Sequence, residues 1–186
     1  MSNYEDFLGR PYVAGQSDCY GVLRDYCRIT YGLELPNYAR PDRFWEDPNL
    51  NLYGRFVKHG FVQVIDQPIE LGDVLLMPLH TMMNSHAALV VEDNLVLHHL
   101  PGRLSTADRL YPVWANRANI VIRHPVITQF YARAAGTTHL HEVINVGILR
   151  SPEMQAKIAE LLEPGSGEMR DYPVNGRGGR EEEPSA

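Results

Sequence analysis

Ser17-Asp18-Cys19-Tyr20-Gly21-Val22-Leu23-Arg24-Asp25-Tyr26 is the stretch whose reading decides the fold of this chain. Ser17 and Asp18 are favoured N-cap residues, and apolar residues follow at helical spacing through Val22, Leu23, Tyr26 and Cys27. Gly32, directly after Tyr31, is a natural stop. The pattern predicts a helix with Cys19 in its first turn. Unpaired backbone N–H groups and the helix dipole favour an anion there, so a thiol is expected to shift toward its reactive thiolate. Cys19 is therefore the candidate nucleophile. The competing reading is that it fills core, the usual fate of a lone free cysteine. Cys27 falls beside Leu23 and Tyr26 on the apolar side of the helix and reads as core. At ~1.5 Å rise per residue the two cysteines are about 12 Å apart along one helix, beyond the ~7 Å reach of a disulfide.

The chain has 186 residues, room for one ordinary domain plus an appendage. Hydrophobic residues make up 44% and charged residues 22%, a globular balance. A net charge of −6, with no basic run, argues against a nucleic-acid partner. Two cysteines exclude both a disulfide framework and a four-cysteine zinc site. No segment reaches the ~20 apolar residues of a membrane span. The start, Met1-Ser2-Asn3-Tyr4-Glu5-Asp6, lacks the basic and apolar regions of a secretory signal, so the chain is expected to stay in the cytoplasm where it is made.

Around the cysteine helix the organisation changes from helical to strand-like. Gly9-Arg10-Pro11-Tyr12-Val13-Ala14-Gly15 leads into the helix, and Tyr12 either packs in the core or turns its hydroxyl to a site. Residues 35–51 are rich in Pro, Asn and Asp and read as a long loop around Phe44 and Trp45. Strand patterns follow at residues 61–65, 74–77, 86–91, 95–99 and 119–123, with Glu92-Asp93-Asn94 marking a hairpin. Helix first and strands in succession give an α+β class with a mainly antiparallel sheet. Beyond Pro125, residues 140–148 read as a further strand, and Ser151-Pro152-Glu153 opens a helix to about residue 163. From Pro164 glycine, proline and charge dominate, a tail composition.

A cysteine nucleophile needs a base, and the base needs an orienting partner. The hairpin holds three of the eight histidines: His86, His98 and His99. With a three-residue loop Val91 faces Leu95, His98 faces Ala88, and His86 and His98 share one face of the sheet. With only Asp93-Asn94 in the loop the parity flips and His99 joins His86. Either way two imidazoles meet, which a core has little reason to build. Zinc is the weaker reading. His98-His99 and His139-x-His141 could ligate zinc, but adjacent strand residues point to opposite faces and no carboxylate–histidine helix motif is present.

Tyr12 with Asp18-Cys19-Tyr20-Gly21, then Gly72-Asp73-Val74, then His86 and His98 in order, resembles the NlpC family of cell-wall cysteine peptidases. Asp18-Cys19-Tyr20-Gly21 stands where that family usually has Asp-Cys-Ser-Gly. The run from Asp18 to Tyr26, with His98-His99-Leu100-Pro101-Gly102-Arg103-Leu104-Ser105, is similar to the branch found in tail-tip proteins of long-tailed phages. The resemblance covers residues 1–125. It implies a papain-like α+β fold, a cysteine helix packed on a five- or six-stranded antiparallel sheet. It also implies Cys19 as nucleophile, His86 as base, His98 as the third polar group, Tyr12 beside the cysteine, and the Asp18 and Cys19 N–H groups binding the oxyanion. No metal or cofactor is implied. The implied substrate is the γ-D-glutamyl to diamino-acid amide of a peptidoglycan stem peptide.

A wall hydrolase without a secretory signal needs another route to the wall. Delivery in a phage or phage-like tail tip supplies one. On this reading residues 1–125 form the peptidase domain, 126–163 dock it to other tail-tip proteins, and 164–186 are a flexible tail. Two alternatives stay open: a structural tail-tip subunit on the same fold with little or no hydrolase activity, and a cytoplasmic amidase or acyltransferase.

Overall fold

The computed structural model describes residues 3–47, 50–79 and 82–134. The expected cysteine helix is α1, Cys19–Tyr26, capped by the Asp18 side chain, which accepts from the Gly21 N–H. It runs on through a wider turn, Cys27–Tyr31, and ends at Gly32 in the left-handed conformation with φ 67°. Both cysteines are free.

Six strands follow: β1 (Val62–Gln63), β2 (Val74–Met77), β3 (His86–Glu92), β4 (Leu95–His98), β5 (Thr106–Arg109) and β6 (Ile120–Arg123). They form one antiparallel sheet in the order β1-β6-β2-β3-β4-β5. Among the described residues the other α-helices are α2 (Leu52–Val57), α3 (Ala115–Arg117) and α4 (Pro125–Ala134). The class is α+β, as the pattern predicts.

Strand alternation sorts the central residues onto two faces. Leu76, Ala87, Leu89 and Leu97 pack with Cys19, Val22 and Leu23 of α1. Leu75, Met77, Ala88, Val90 and Val96 pack on the other side against Leu110 and Trp114. Both faces of β2 and β3 are covered, so these strands are apolar almost throughout.

The hairpin resolves the parity question by combining both alternatives. Its turn is the two residues between Glu92 and Leu95, the even-length loop. A β-bulge then shifts the register between Val90 and Glu92, so that Val90 pairs with Val96 and Leu89 with Leu97. The extra residue, Val91, undoes the flip that the short turn would impose. His98 consequently stays in phase with Ala88 and His86.

Packing also runs past residue 125, the boundary expected from the sequence. Helix α4 starts at Pro125 and buries Ile127, and the Tyr131 hydroxyl lies 2.7 Å from that of Tyr31. Packing on the domain therefore continues at least to Tyr131. The strand at 140–148, the helix from Ser151, the tail from Pro164, and His139 and His141 lie outside the described residues.

Candidate active site

Three short-range causes fix Cys19. Asp18 caps α1 by accepting from Gly21 N–H at 2.8 Å, and its other oxygen accepts from Gly15 N–H at 2.9 Å. Gly21 has to be glycine, because a Cβ there would meet the Gln16 carbonyl oxygen at 2.0 Å. The same Asp18 oxygen takes a 2.7 Å bond from Arg40 Nε, in an ion pair with side chains 1% and 0% exposed. Arg40 also donates to the Tyr38 carbonyl and lies over the Tyr20 ring, 4.7 Å from its centroid. This buried guanidinium comes from the loop of residues 35–51, where no local pattern marks it.

The thiol does not behave as its helix position alone predicts. Burial pushes Cys19 up to about 12, and the Asp18 carboxylate adds to the rise. The Ala87 and Tyr20 backbone N–H groups and the Arg40 guanidinium pull the other way without prevailing. Desolvation outweighs the helix terminus because the thiol is 4% exposed. Cys27, fully buried, is likewise pushed up to about 12.

Cys19 and His86 line one cavity together with Tyr12, His99, Ser85, Phe44 and others, and its free volume is about 10 Å³. That is room for about one water. The cavity lies at the end of the sheet where β3 begins and β4 ends. His86 reaches it from the first residue of its strand, although β3 alternation assigns it to the Trp114 side. Tyr12 is half-buried and meets the His99 ring edge-on at 5.2 Å. Burial raises the Tyr12 phenol, with the neighbouring Cys19 and Asp18 adding to the shift. Phe44 and Trp45, read from the sequence as possible loop anchors, are walls of this cavity.

His98 stands beside His86, ring centroids 5.4 Å apart and planes at 88°. Trp114 covers both imidazoles, at 4.2 Å from His98 and 5.8 Å from His86. His98 Nε2 lies 3.1 Å from Asp108 Oδ2 on β5. Burial lowers the His98 pKa, and the Asp108 carboxylate offsets part of the shift. His99, the residue after β4, lines the Cys19 cavity together with His86. Its Nε2 bonds the Arg103 carbonyl at 3.0 Å, and burial lowers its pKa too. Sequence reasoning missed Asp108, Arg40 and the role of Trp114. Thr106-Ala107-Asp108-Arg109 carries no apolar alternation from which a strand could be read. Among the described residues no three His, Cys, Asp or Glu side chains converge as a metal site would require, and no helix is long and apolar enough to cross a membrane.

A cysteine at a helix N-terminus, packed on an antiparallel sheet whose strand end supplies a histidine pair, defines an α+β domain with a joint cysteine and histidine site. The chain belongs to the NlpC/P60 family, whose profile matches residues 9–123. It is similar to tail tip assembly protein K of Escherichia phage N15, 33% identical over 119 residues, which are 63% of this chain and 49% of that protein. It is also similar to tail tip assembly protein K of Escherichia phage lambda, 34% identical over 117 residues, 62% of this chain and 58% of that protein. The matched region spans only about half the length of these relatives.

Proposed function

We propose that this chain is a cysteine endopeptidase that cleaves the γ-D-glutamyl to diamino-acid amide of peptidoglycan stem peptides from a phage or phage-like tail tip. The observation that carries this reading is the single cavity lined by Cys19 and His86, with His98 next to His86. In the reaction His86 takes the Cys19 proton, and the thiolate attacks the amide carbonyl carbon. The Cys19 and Asp18 N–H groups receive the oxyanion. The C–N bond then breaks as His86 returns the proton to the leaving amine, and water hydrolyses the thioester. Tyr12 borders the reacting sulfur, and His98 orients His86. No cofactor takes part.

The tail-tip setting is supported by the names of the relatives. Docking to other tail-tip proteins is assigned to the C-terminal extension from Val126, whose first helix, α4, also packs on the domain. A second reading, an assembly subunit that cuts little, is favoured by the same names and by the closed cavity around a neutral thiol. Digestion of purified sacculi followed by mass spectrometry separates the two. The peptidase reading expects stem-peptide fragments from wild type and none from Cys19→Ala. Fragments at the wild-type rate from Cys19→Ala would sink the cysteine mechanism. No fragments from either protein would favour the assembly subunit.

A further inference from the structure

The pair His98–Asp108 has a consequence beyond the three residues assigned above. Edge strand β5 pairs with β4 so that Thr106 faces His98 and Asp108 faces Val96. Asp108 is thus a diagonal neighbour of His98 on the face that also carries His86 and Trp114. Its carboxylate is about half exposed, while the His98 side chain it meets at 3.1 Å is fully buried. A carboxylate only accepts, so the hydrogen in this bond belongs to His98 Nε2. The other nitrogen, Nδ1, is buried with no hydrogen-bond partner. In a neutral imidazole protonated at Nε2, Nδ1 is a bare lone pair, and the nearest ring beside His98 in this arrangement besides Trp114 is His86. Burial keeps His98 neutral near neutral pH, with Arg103 and His99 acting in the same direction and Asp108 against it.

We propose that Asp108 is a positioning residue, which locks His98 in the Nε2–H tautomer so that its Nδ1 accepts the N–H of His86 and turns the basic nitrogen of His86 toward Cys19. The His98–Asp108 bond stands on the structure alone, and its consequence for His86 rests on the peptidase reading. Without Asp108, His98 is free to place its hydrogen on Nδ1, where it would meet the His86 N–H donor to donor. An edge-strand aspartate kept only for solubility would have no reason to bond a buried imidazole.

The test uses the full chain and two independent readouts. Nitrogen-15 shifts of His98 report its tautomer with no substrate present. The expected result is Nε2–H in wild type, lost or mixed in Asp108→Ala and kept in Asp108→Glu. Turnover of sacculi should fall on the order of tenfold in kcat for Asp108→Ala, with KM unchanged and activity recovered by Asp108→Glu. A wild-type His98 protonated on Nδ1 would overturn the proposal whatever the activity. So would wild-type kcat in Asp108→Ala. If wild type shows the Nε2–H tautomer and its loss in Asp108→Ala but cuts no sacculus, the tautomer lock stands and the peptidase reading falls.

Discussion

Asp18 and Arg40 form an ion pair of 2.7 Å from which solvent is almost wholly excluded, and the next residue along is Cys19. The pair ties the loop of residues 35–51 to the cap of α1. It also places one positive and one negative group beside the thiol, with opposite effects on it.

Removing one partner should therefore cost much more than removing both. Arg40→Met leaves the Asp18 carboxylate buried and uncompensated, and breaking such a pair costs about 3–5 kcal/mol. Adding Asp18→Asn should return part of that loss, since the buried charge is gone and an amide still caps the helix. Urea unfolding of the two single variants and the double variant gives the coupling directly. Equal stability of Arg40→Met and wild type would mean that the ion pair does not hold the loop.

The hairpin predicts an order of damage among its histidines. His86→Ala should lower hydrolysis about as far as Cys19→Ala, because members of one catalytic unit fail together. His98→Asn should cost much less, as an amide can still present an acceptor to His86. His99→Ala should act mainly on stability, through the lost bond to the Arg103 carbonyl. Deleting Val91 removes the bulge but leaves Val90 opposite Val96, so His98 keeps its phase with His86. That variant should keep its activity where it folds, read by circular dichroism beside sacculus digestion. A folded but inactive Val91 deletion would show that the bulge does more than absorb the short turn.

These residues also mark how far the sequence could be read. Helix α1 was legible because its signals are local: Asp18 at the cap, Val22 and Leu23 at helical spacing, Gly32 at the end. Strands β2, β3, β4 and β6 were legible as apolar runs between breakers. The bulge was not, since Val91 looks like any strand residue and its displacement is set by the pairing of Val90 with Val96. Strand β5 was hidden because an edge strand needs little apolar side chain, and Asp108 was hidden with it. The Cys19 pKa illustrates the deeper limit. The helix N-terminus is visible in sequence, but desolvation depends on Phe44, Trp45 and Ala87, which only the tertiary fold brings near.

Both ends of the pH range should weaken the fold, for separate reasons. A thiol held at about 12 against an ordinary 9.0 stays neutral in the folded chain while the unfolded chain ionises. Its stabilising share is full below pH 9.0 and is lost as pH rises toward about 12. Cys27→Ser should therefore flatten the alkaline fall in unfolding midpoint. At the acid end, burial depresses His98, His99 and His124 below 6.5. The unfolded chain takes up these protons first, so stability present above pH 6.5 declines as pH drops below it. Denaturation midpoints at pH 8, 6 and 5 check the trend, and a flat profile from 8 to 5 would contradict it.

The last prediction concerns the cover over the thiol. Cys19 is neutral at rest because it is dry, and the walls that keep it dry include Phe44 and Trp45, which meet edge-on at 5.6 Å. A cavity with room for about one water cannot admit a peptide amide, so substrate entry requires these walls to part. Opening would rehydrate the sulfur and remove the largest cause of its raised pKa, leaving the Asp18 carboxylate against the thiolate and Arg40 with the nearby backbone N–H groups in its favour. Trp45→Ala should imitate that opening. It removes a partly buried side chain from the wall while Phe44 stays in the core. The expected outcome is alkylation of Cys19 faster by about tenfold, with the pH midpoint of labelling moved down from about 12 and the slow labelling of Cys27 unchanged. Mass spectrometry of iodoacetamide-treated protein across pH 6 to 10 reads both cysteines in one experiment. If Cys27 accelerates equally, the substitution has loosened the whole core. If neither changes, the barrier to the thiol lies elsewhere, with Leu79 and Pro101 the remaining apolar walls.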